Sequence, residues 1–377
     1  PGLPDWTIAL VLGTHVTLES STRSPTPKSL STIGLALGLA EAGMFPDRVL
    51  RAGTRHLLRR RLRESVRGSV EAREREQTAL MDRLAGGPIA IDVAAANEQH
   101  YEVPASFFRQ FLGPRMKYSS CFWPDGVDDL AAAEEAMLRL TCERAGVADG
   151  MRILDLGCGW GSLSIYVAEH YPGSKVLAVS NSRSQGEYVR AEADRRGLEG
   201  IEHQVGDIAT FDTERRFDRV ISVEMLEHVR NYELAFGRIR SWLAPDGRCF
   251  VHVFSHRSFA YTFDGDDWMG RYFFTGGTMP AHDLFRQFDS DLRVVTDWRL
   301  DGTHYARTLE SWLVRLDAVR ESLWPVLAET YGDASARRWW VDWRLFFVVC
   351  AEAFGLDEGR SYGVSHYLLE SAPGSAG

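Results

Sequence analysis

The chain has 377 residues, of which 45% are hydrophobic, so it is long enough for one large domain with additions or for two domains. Its formal net charge of −9 argues against general nucleic-acid binding, which needs a basic surface that displaces counterions. The five cysteines form no CxxC pair, which predicts free thiols in a reducing, cytoplasmic compartment, without a disulfide framework or a metal site. No apolar run reaches the roughly 18 residues of a membrane span, so we expect no stable membrane insertion.

The first section of the chain, residues 1–30, is predicted to be a tail outside the folded core. Its run SSTRSPTPKSLS is rich in serine, threonine and proline, a composition that is typical of disorder. Because the chain starts at Pro1 and not at methionine, we expect this tail to be disordered or foreign to the natural protein.

Residues 31–148 are predicted to be a helical section that covers the functional site. A helix is expected to start at FPD (45–47), because leucines recur behind this segment at helical spacing. Seven arginines follow between Arg48 and Arg63. They fit either a helix that contacts an anionic membrane or a partner helix, or a solvated helix that packs by its leucines. Acidic residues return directly afterwards in EAREREQ, which favours the second interpretation.

The middle of the chain, residues 149–256, alternates short apolar runs with helical stretches. The segment MRILDLGCGWGSLSIYVAEHY (151–171) predicts a strand, a glycine-rich turn and a helix in succession. Further strands are predicted at 175–182, 200–211, 217–224 and 247–255, with helices at 184–197 and 232–243. This rhythm is typical of an α/β fold with a doubly wound, mostly parallel sheet, in which ligands bind at the carboxyl ends of the strands.

The final section, residues 257–377, is predicted to add the last two strands of the sheet, 292–300 and 364–371, and helices around the ligand. Its aromatic side chains are too numerous for one core patch, so we expect some of them to line an apolar pocket. Cys350, within LFFVVCAEAF, is expected to be a buried residue of a helix.

The turn after the first strand has the pattern Asp155-x-Gly157-x-Gly159-x-Gly161. A dinucleotide fingerprint would read GxGxxG or GxGxxA, whereas the third position here is Ser162. The glycines let the backbone approach a small ligand closely, and the acidic Asp155 suits a ligand with a cationic or α-amino group. S-adenosylmethionine (SAM) fits this pattern, because it carries a sulfonium and an ammonium but no pyrophosphate.

The ends of the next two strands complete the predicted cofactor site. Asp207 is expected at the end of the third strand, where its carboxylate is placed to hold an adenine amino group. The second strand ends in VSNSRSQ, which offers no acid to the ribose hydroxyls. Asn181 and Gln185 are therefore expected to act there as neutral donors and acceptors.

Four segments, LDLGCGWGS, VSNSRSQ, GDIATF and VEMLEH, resemble those of class I SAM-dependent methyltransferases. A narrower resemblance covers nearly the whole chain from about residue 35. The segments NEQHYEVPASFF, KYSSCFW, FDGDDWMGRYFFTGGTMP, GTHYARTLESW and WRLFFVVCAEAFG are similar to those of plant benzylisoquinoline-alkaloid N-methyltransferases, which are relatives of the cyclopropane-fatty-acid synthases. The resemblance implies a Rossmann-like sheet with a lid of N-terminal and inserted helices. It also implies SAM as the cofactor, S-adenosylhomocysteine (SAH) as its product and a small-molecule amine as the substrate.

The residues expected at both sites follow from these patterns together with the resemblance. The cofactor site is expected to comprise Tyr118, Ser119, Asp155, Gly157, Gly159, Gly161, Asn181, Gln185, Asp207, Ile208 and Val223. The substrate site is expected to comprise Tyr101, Glu102, His252, Tyr261, Phe263, Tyr305, Trp343 and Phe347. Of these, His252 lies inside an apolar strand, so it fits a satisfied core histidine equally well.

The stretch VEMLEHVRNY (223–232) places Glu224, Glu227 and His228 at positions i, i+3 and i+4, so on a helix they would share one face. Methyl transfer from SAM to an amine is an in-line displacement that needs a free lone pair, yet an alkylamine is mostly protonated at neutral pH. Two carboxylates attract such a cation and an imidazole takes its proton, which predicts these three residues as the catalytic group. The alternative is that Glu227 and His228 brace adjacent loops.

Several functions remain open at this point. Besides N-methylation of a small amine, the chain fits a lipid-modifying methyltransferase or cyclopropane synthase. In those synthases the bound bicarbonate is held by a Cys, a Glu, a His, an Ile and a Tyr. Glu227, His252 and Tyr305 match that set, whereas Cys121 stands one position late and Phe254 replaces the Ile. S- or O-methylation of a small molecule and a non-enzymatic SAM-binding protein are further alternatives, and a homodimer is a further expectation.

Overall fold

The centre of the fold is a seven-stranded sheet. The computed structural model describes residues 40, 43–65, 69–90, 103–263 and 268–373, without the side chain of Arg271. Within these ranges the strands are β1 (Arg152–Leu156), β2 (Lys175–Ser180), β3 (Ile201–Val205), β4 (Phe217–Val223), β5 (Leu243–His256), β6 (Tyr261–Thr262), β7 (Thr278–Met279), β8 (Leu292–Asp301) and β9 (Tyr362–Ser371). The sheet has the order β3-β2-β1-β4-β5-β9-β8, and β6 pairs separately with β7.

Strands β1 to β5 are parallel, which confirms the predicted doubly wound sheet. Strand β9 enters antiparallel between β5 and β8, so the two strands predicted in the last section of the chain are confirmed as well. Strands β1 and β2 are buried along almost their whole length, because helices cover both faces of a parallel sheet, and this explains their continuous apolar runs. The predicted third strand ends earlier than expected, at Val205, so that Asp207 lies in the loop beyond it.

Helices flank this sheet and extend beyond one edge of it. They are α1 (Asp47–Ser65), α2 (Val70–Ala85), α3 (Ala105–Phe111), α4 (Leu130–Ala145), α5 (Ser162–His170), α6 (Arg183–Arg196), α7 (Tyr232–Trp242), α8 (Trp268–Tyr272), α9 (Thr303–Ala318), α10 (Arg320–Tyr331) and α11 (Asp333–Phe354). Some of them begin at a residue whose side chain caps the helix. Helix α6, for example, starts at Ser182, whose side chain accepts the Gln185 N–H, and ends at Gly197 in the left-handed conformation with φ 64°.

The arginine-rich helix α1 begins at Asp47, as predicted. Its residues Leu57 and Leu58 are buried, so the helix packs by its leucines. Arg51 on the same helix forms ion pairs with Glu310 of α9 and Glu352 of α11. These contacts confirm the interpretation of α1 as a helix that packs on the protein itself.

The hydrophobic core has two parts of different character. The faces of the sheet are covered by mainly aliphatic clusters, in which β1, β2, β4 and β5 contact the helices that connect them. A second part lies among α1, α3, α9 and α11 and is rich in aromatic rings, such as Phe107, Trp312 and Trp343. The aromatic part stands over the carboxyl ends of the strands and so closes the site described next.

Candidate active site

One cavity lies where the carboxyl ends of β1, β2 and β4 meet the helices α1, α9 and α11. Among the predicted site residues, it is lined by Tyr118, Ser119, Asp155, Gly157, Gly159, Asn181, Gln185, Asp207, Ile208, Val223, Glu224, His228, Tyr261, Phe263 and Tyr305. Tyr101 and Glu102 lie outside the described residues. The five other predicted residues lie elsewhere, as described below.

The glycine-rich turn leaves room for a ligand at the backbone. Gly157 and Gly159 have φ values of 85° and 52°, a region that glycine adopts without strain. A Cβ at Gly157 would lie 2.6 Å from Cγ of Met225, whereas a Cβ at Gly159 would meet no heavy atom of the described residues within 4 Å. Gly161, at the N-cap of α5, instead contacts α6, because a Cβ there would approach Cγ2 of Val189 to 2.6 Å.

Polar groups stand around this turn. Asp155 is buried at the end of β1, and its Oδ2 accepts a hydrogen bond of 2.6 Å from the Ser164 hydroxyl. Burial raises the pKa of Asp155 to about 6, so the carboxylate is still mainly ionised at neutral pH. Asp207 accepts the backbone N–H groups of Ala209 and Thr210 at 2.7 and 3.1 Å, which orients its carboxylate at the cavity wall.

These residues fit SAM. The open space over Gly159 admits ligand atoms next to the backbone, and the Asp155 carboxylate suits the α-ammonium of SAM. Asn181 and Gln185 line the same wall with neutral donors and acceptors for ribose hydroxyls, and Asp207 supplies an acceptor for the adenine amino group.

Glu224 lines the same cavity directly after β4. Its Oε1 accepts hydrogen bonds from the Ser120 N–H at 2.8 Å and from Nε2 of His252 at 3.1 Å, and its Oε2 accepts the Tyr305 hydroxyl at 2.6 Å. Burial raises the pKa of Glu224, although nearby Lys117 and the Tyr305 hydroxyl both favour the ionised form. This carboxylate is therefore a stronger base than an exposed one, and it is held in one orientation.

The helix that would bring Glu224, Glu227 and His228 onto one face does not form. Glu224 has a φ of 47° directly after β4, and only Leu226–His228 forms a single 3-10 turn. The left-handed residue interrupts the helical path, so the two carboxylates point in different directions.

Glu227 is fully buried beside β5, where its Oε1 accepts the Phe254 N–H at 2.8 Å. Burial raises its pKa well above the usual range. The residue therefore joins the 3-10 turn to the sheet, and it is not among the described residues that line the cavity.

His228 reaches the cavity, and its ring lies parallel to that of Phe274 with centroids 5.4 Å apart. Burial lowers the pKa of His228 to about 4, although Glu224 acts in the opposite sense. The imidazole is therefore neutral at physiological pH and adds no positive charge to the cavity.

His252 lies in β5 behind Glu224 and is fully buried. Its Nε2 contacts Glu224, and its Nδ1 is 3.0 Å from Nε2 of His366. Among the described residues, the wall of the cavity is formed in front of His252 by Glu224 and Phe254. The structure thus places His252 as a hydrogen-bond partner of Glu224.

Aromatic side chains form the rest of the acceptor end. Tyr261, Phe263 and Phe274 form a continuous row, with centroid distances of 5.5 Å and 5.3 Å between neighbours. The guanidinium of Arg61 lies 3.8 Å from the centroid of Tyr261 and also lines the cavity.

Two predicted substrate residues belong to the core instead. Trp343 packs against Phe107 with centroids 5.0 Å apart, and Phe347 packs against Phe111 at 5.5 Å. Both are fully buried. The same helix, α11, presents Phe346 and Cys350 to the cavity, so Cys350 is a cavity residue of intermediate exposure.

Lys117 is a site residue that the sequence analysis missed. Its buried ammonium donates to Ser119 Oγ at 2.6 Å and to the Ser120 carbonyl at 2.7 Å, and it lines the cavity. Burial lowers its pKa, whereas the nearby Glu224 raises it. The only signal in the sequence was its position directly before Tyr118 in the segment KYSSCFW.

Known structures agree with this arrangement. The crystal structure of coclaurine N-methyltransferase bound to N-methylheliamine and SAH matches with a TM-score of 0.87 and 36% identity, covering 90% of this chain and 100% of that one. Mycolic acid cyclopropane synthase CmaA1, complexed with SAH and CTAB, shares the fold with a TM-score of 0.62 at 22% identity, covering 73% of this chain and 97% of that one. The mostly parallel seven-stranded sheet with flanking helices is that of the class I SAM-dependent methyltransferases, and this protein is one of them.

Sequence comparison defines the family. The family model described as mycolic acid cyclopropane synthetase matches residues 91–360, so the chain belongs to that family. (S)-Coclaurine N-methyltransferase of Thalictrum flavum subsp. glaucum is 38% identical over 337 residues, which cover 88% of this chain and 93% of that protein. Cyclopropane-fatty-acyl-phospholipid synthase of Escherichia coli strain K12 is 29% identical over 313 residues, which cover 82% and 75% of the two chains.

The described ranges include all the helices named above. None of the helices in them has both the length and the apolar character that a membrane crossing requires.

Proposed function

We propose that this protein transfers a methyl group from SAM to the nitrogen of a small secondary or tertiary amine that carries aromatic rings. The observation that carries the proposal is the buried, hydrogen-bonded carboxylate of Glu224, which faces an aromatic cavity. The relative that shares 38% of its residues is by its name an N-methyltransferase of (S)-coclaurine, which supports the same chemistry.

When bound, SAM supplies an electrophilic methyl group on a sulfonium, and SAH is the product. The N–C bond forms as the S–C bond breaks, and an amine that enters as an ammonium must release one proton. This chain therefore has to bind a cation, remove its proton and hold the nitrogen in line.

Glu224 is the residue that we assign to proton removal. Its ionised form attracts the ammonium into the cavity, and burial raises its pKa towards that of the amine, which makes proton transfer less uphill. The Ser120 N–H, His252 and the Tyr305 hydroxyl fix the carboxylate and leave one lone pair of Oε2 for the proton of the substrate. The proton then resides on a Glu224 oxygen until product release.

His228 has a different role in this proposal. Because its pKa is about 4, the imidazole does not keep a proton at neutral pH. A neutral ring next to the site does not repel the ammonium and can accept a hydrogen bond from it. The rings of Phe263 and Phe274 add apolar contact area and a favourable surface for a cation.

Lipid modification of the cyclopropane type is the second candidate, because the family model carries that description. Its bicarbonate site would require Cys121, Glu227 and His252 to face the substrate. In the described part of the chain these three residues are fully buried and lie outside the cavity wall. The geometry therefore favours the amine, and S- or O-methylation has no specific observation in its support.

The test is transfer of labelled methyl from SAM to a panel of secondary and tertiary arylalkyl amines, with vesicles of unsaturated anionic phospholipid in a parallel reaction. Labelled amine that is lost in Glu224→Gln, while SAM still binds, supports the proposal. Labelled lipid with unlabelled amines overturns it in favour of the second candidate. A cytoplasmic location and a homodimer remain predictions, which fractionation of the source cells and light scattering would check.

A further inference from the structure

A row of side chains crosses the sheet behind the cavity. His252 of β5 pairs in register with Val223 of β4 on one side and with His366 of β9 on the other, and His366 pairs with Trp298 of β8. Residues that stand opposite one another on neighbouring strands lie on the same face of a sheet. Both histidines are fully buried.

Hydrogen bonds join this row from its outer end to Glu224. An Nη1 atom of Arg144, at the end of α4, lies 2.8 Å from Nδ1 of His366. His366 Nε2 is 3.0 Å from His252 Nδ1, and His252 Nε2 is 3.1 Å from Glu224 Oε1. The Arg144 guanidinium also lies 4.9 Å from the ring centroid of Trp298, which holds it over β8.

The chemistry of these groups determines which atom donates and which accepts in each hydrogen bond of the row. A guanidinium only donates hydrogen bonds, so Nδ1 of His366 must accept from Arg144. Burial lowers the pKa of both histidines well below the usual value, so each ring is neutral and carries one N–H. His366 then donates from Nε2 to His252 Nδ1, and His252 donates from Nε2 to Glu224. Each group donates towards the carboxylate.

We propose that His366 and Arg144 are positioning residues that act through His252 to hold Glu224 in its ionised form. The proposal rests on the assignment of Glu224 as the base of the methyl-transfer reaction. It extends the functional unit across two further strands, to a residue of β9 and a residue of α4 that do not line the cavity within the described part of the chain.

Several groups from other elements also act on Glu224. They are Lys117 of the loop before α4, Tyr305 of α9, His228 and Glu227 of the 3-10 turn, and Cys350 of α11. The hydrogen bonds from Tyr305 and Ser120 to Glu224 involve no residue of β9. The hydrogen bond from His252 to Glu224, in contrast, requires the tautomer of His252 that His366 favours. Without His366, the His252 ring can adopt the tautomer with hydrogen on Nδ1, and a lone pair on Nε2 then faces Glu224. The carboxyl group must bind a proton to restore that hydrogen bond, so it titrates at a higher pH.

The matched variants are His366→Leu and His366→Gln. Leucine fills the space without polar atoms, whereas the glutamine amide can accept from Arg144 and donate to His252, as the imidazole does. The measurement is the pH dependence of kcat/KM for the arylalkyl amine that the wild-type enzyme methylates fastest. We expect the acidic limb to move up by about one pH unit in His366→Leu, since hydrogen bonds to a carboxylate shift its pKa by this order. In His366→Gln the limb should stay at the wild-type position.

Two further variants separate this role from a structural one. Ser255→Ala removes a buried hydroxyl that lies 2.6 Å from Ser365 in the same pair of strands but outside the row, and it should leave the limb in place. Arg144 is the half-buried outer member of this series of hydrogen bonds, so Arg144→Leu is less disruptive to folding. It should move the acidic limb in the same direction as His366→Leu, by a smaller amount. Equal profiles for His366→Leu and His366→Gln, or no movement in either, would overturn the proposal.

A substrate-independent readout keeps this test separate from the proposed function. In ¹⁵N-histidine-labelled protein, we expect His252 and His366 to give the signals of neutral rings with hydrogen on Nε2, and His366→Leu to alter the signal of His252. If the wild-type enzyme methylates none of the amines, the proposed function fails. These signals still show whether the hydrogen bonds run from Arg144 through His366 and His252 to Glu224. Signals of protonated rings at pH 7, or of rings with hydrogen on Nδ1, would overturn the inference.

Discussion

The cofactor part and the acceptor part of the cavity, called its two ends below, consist of different kinds of chemical group. The cofactor end consists of backbone at Gly157 and Gly159 and of short polar side chains, all within residues 155–208. The acceptor end is assembled from Lys117, Glu224 and several distant helices, and its charged groups have ionisation states that burial controls. We therefore expect changes at the cofactor end to act on SAM affinity, and changes at the acceptor end to act on the rate and its pH dependence.

The largest effect is expected at the acceptor end. Glu224→Gln removes the base while keeping the shape of the side chain, so kcat/KM for the amine should fall about 10³-fold, within the range of general-base catalysis. The SAM dissociation constant, measured by calorimetry, should stay within about twofold, because the amide keeps the shape of the side chain and the residue is not part of the glycine-rich turn.

The matched control for this prediction is Glu227→Gln. The amide oxygen can still accept the Phe254 N–H, so a loss of no more than about tenfold is expected. If Glu227→Gln is as inactive as Glu224→Gln, the assignment of the base to Glu224 alone is wrong.

At the cofactor end, a change in the glycine-rich turn is expected to weaken SAM binding. Gly157→Ala forces a left-handed φ on alanine and brings Cβ within 2.6 Å of Met225, so SAM affinity should fall roughly 10- to 100-fold. The control is Gly126→Ala, where φ is 83° but no described heavy atom lies within 4 Å of the Cβ position. Similar SAM affinities for the two variants would show that backbone strain alone, and not the close approach at the cavity, determines binding.

A smaller effect is expected from Tyr305→Phe, which removes one of the donors to Glu224. A hydrogen bond to a charged group contributes about 1.5 kcal/mol, so kcat/KM should fall about tenfold. The acidic limb should also move to higher pH, because the ionised carboxylate loses a partner. Tyr171→Phe, at the C-cap of α5 and outside the described lining of the cavity, serves as the control; a limb that stays in place in Tyr305→Phe would contradict the prediction.

The smallest effect is expected from His228→Asn. The amide keeps a neutral hydrogen-bond acceptor but displaces it, and it removes the ring contact with Phe274, which should lower kcat/KM about fivefold, equivalent to roughly 1 kcal/mol. Because the pKa of His228 is about 4, the ring stays neutral from pH 5 upwards, so the shape of the pH profile over pH 5 to 9 should not change. Disappearance of a titration near pH 6 to 7 in this variant would return the proton-accepting role to His228.

The same two ends differ in how far they could be predicted. The strand, turn and helix of residues 151–171 are local in sequence, so spacing alone indicated the cofactor end. Glu224 and His228 were also found from a local pattern, although the helix expected there is interrupted by the left-handed φ of Glu224. Residue spacing does not reveal such a backbone, because glutamate rarely adopts it.

The acceptor end depends on tertiary contacts that no local pattern encodes. Helix α11 is aromatic on several sides, and its rotation is determined by packing against Phe107 and Phe111. That packing buries Trp343 and Phe347 and leaves Phe346 for the cavity. The link from Glu224 to His366 likewise requires the pairing of β5 with β9, whose partners are more than a hundred residues apart in sequence.

The position of β9 has a consequence for the order in which the protein matures. This strand inserts between β5 and β8, so until it arrives two strands expose unpaired backbone edges, which are sites for aggregation. Pairing across such sequence distances is slow compared with the formation of local helices. The parallel half of the sheet can therefore form a SAM-binding turn early, while the environment of Glu224 is completed only when β9 closes the sheet.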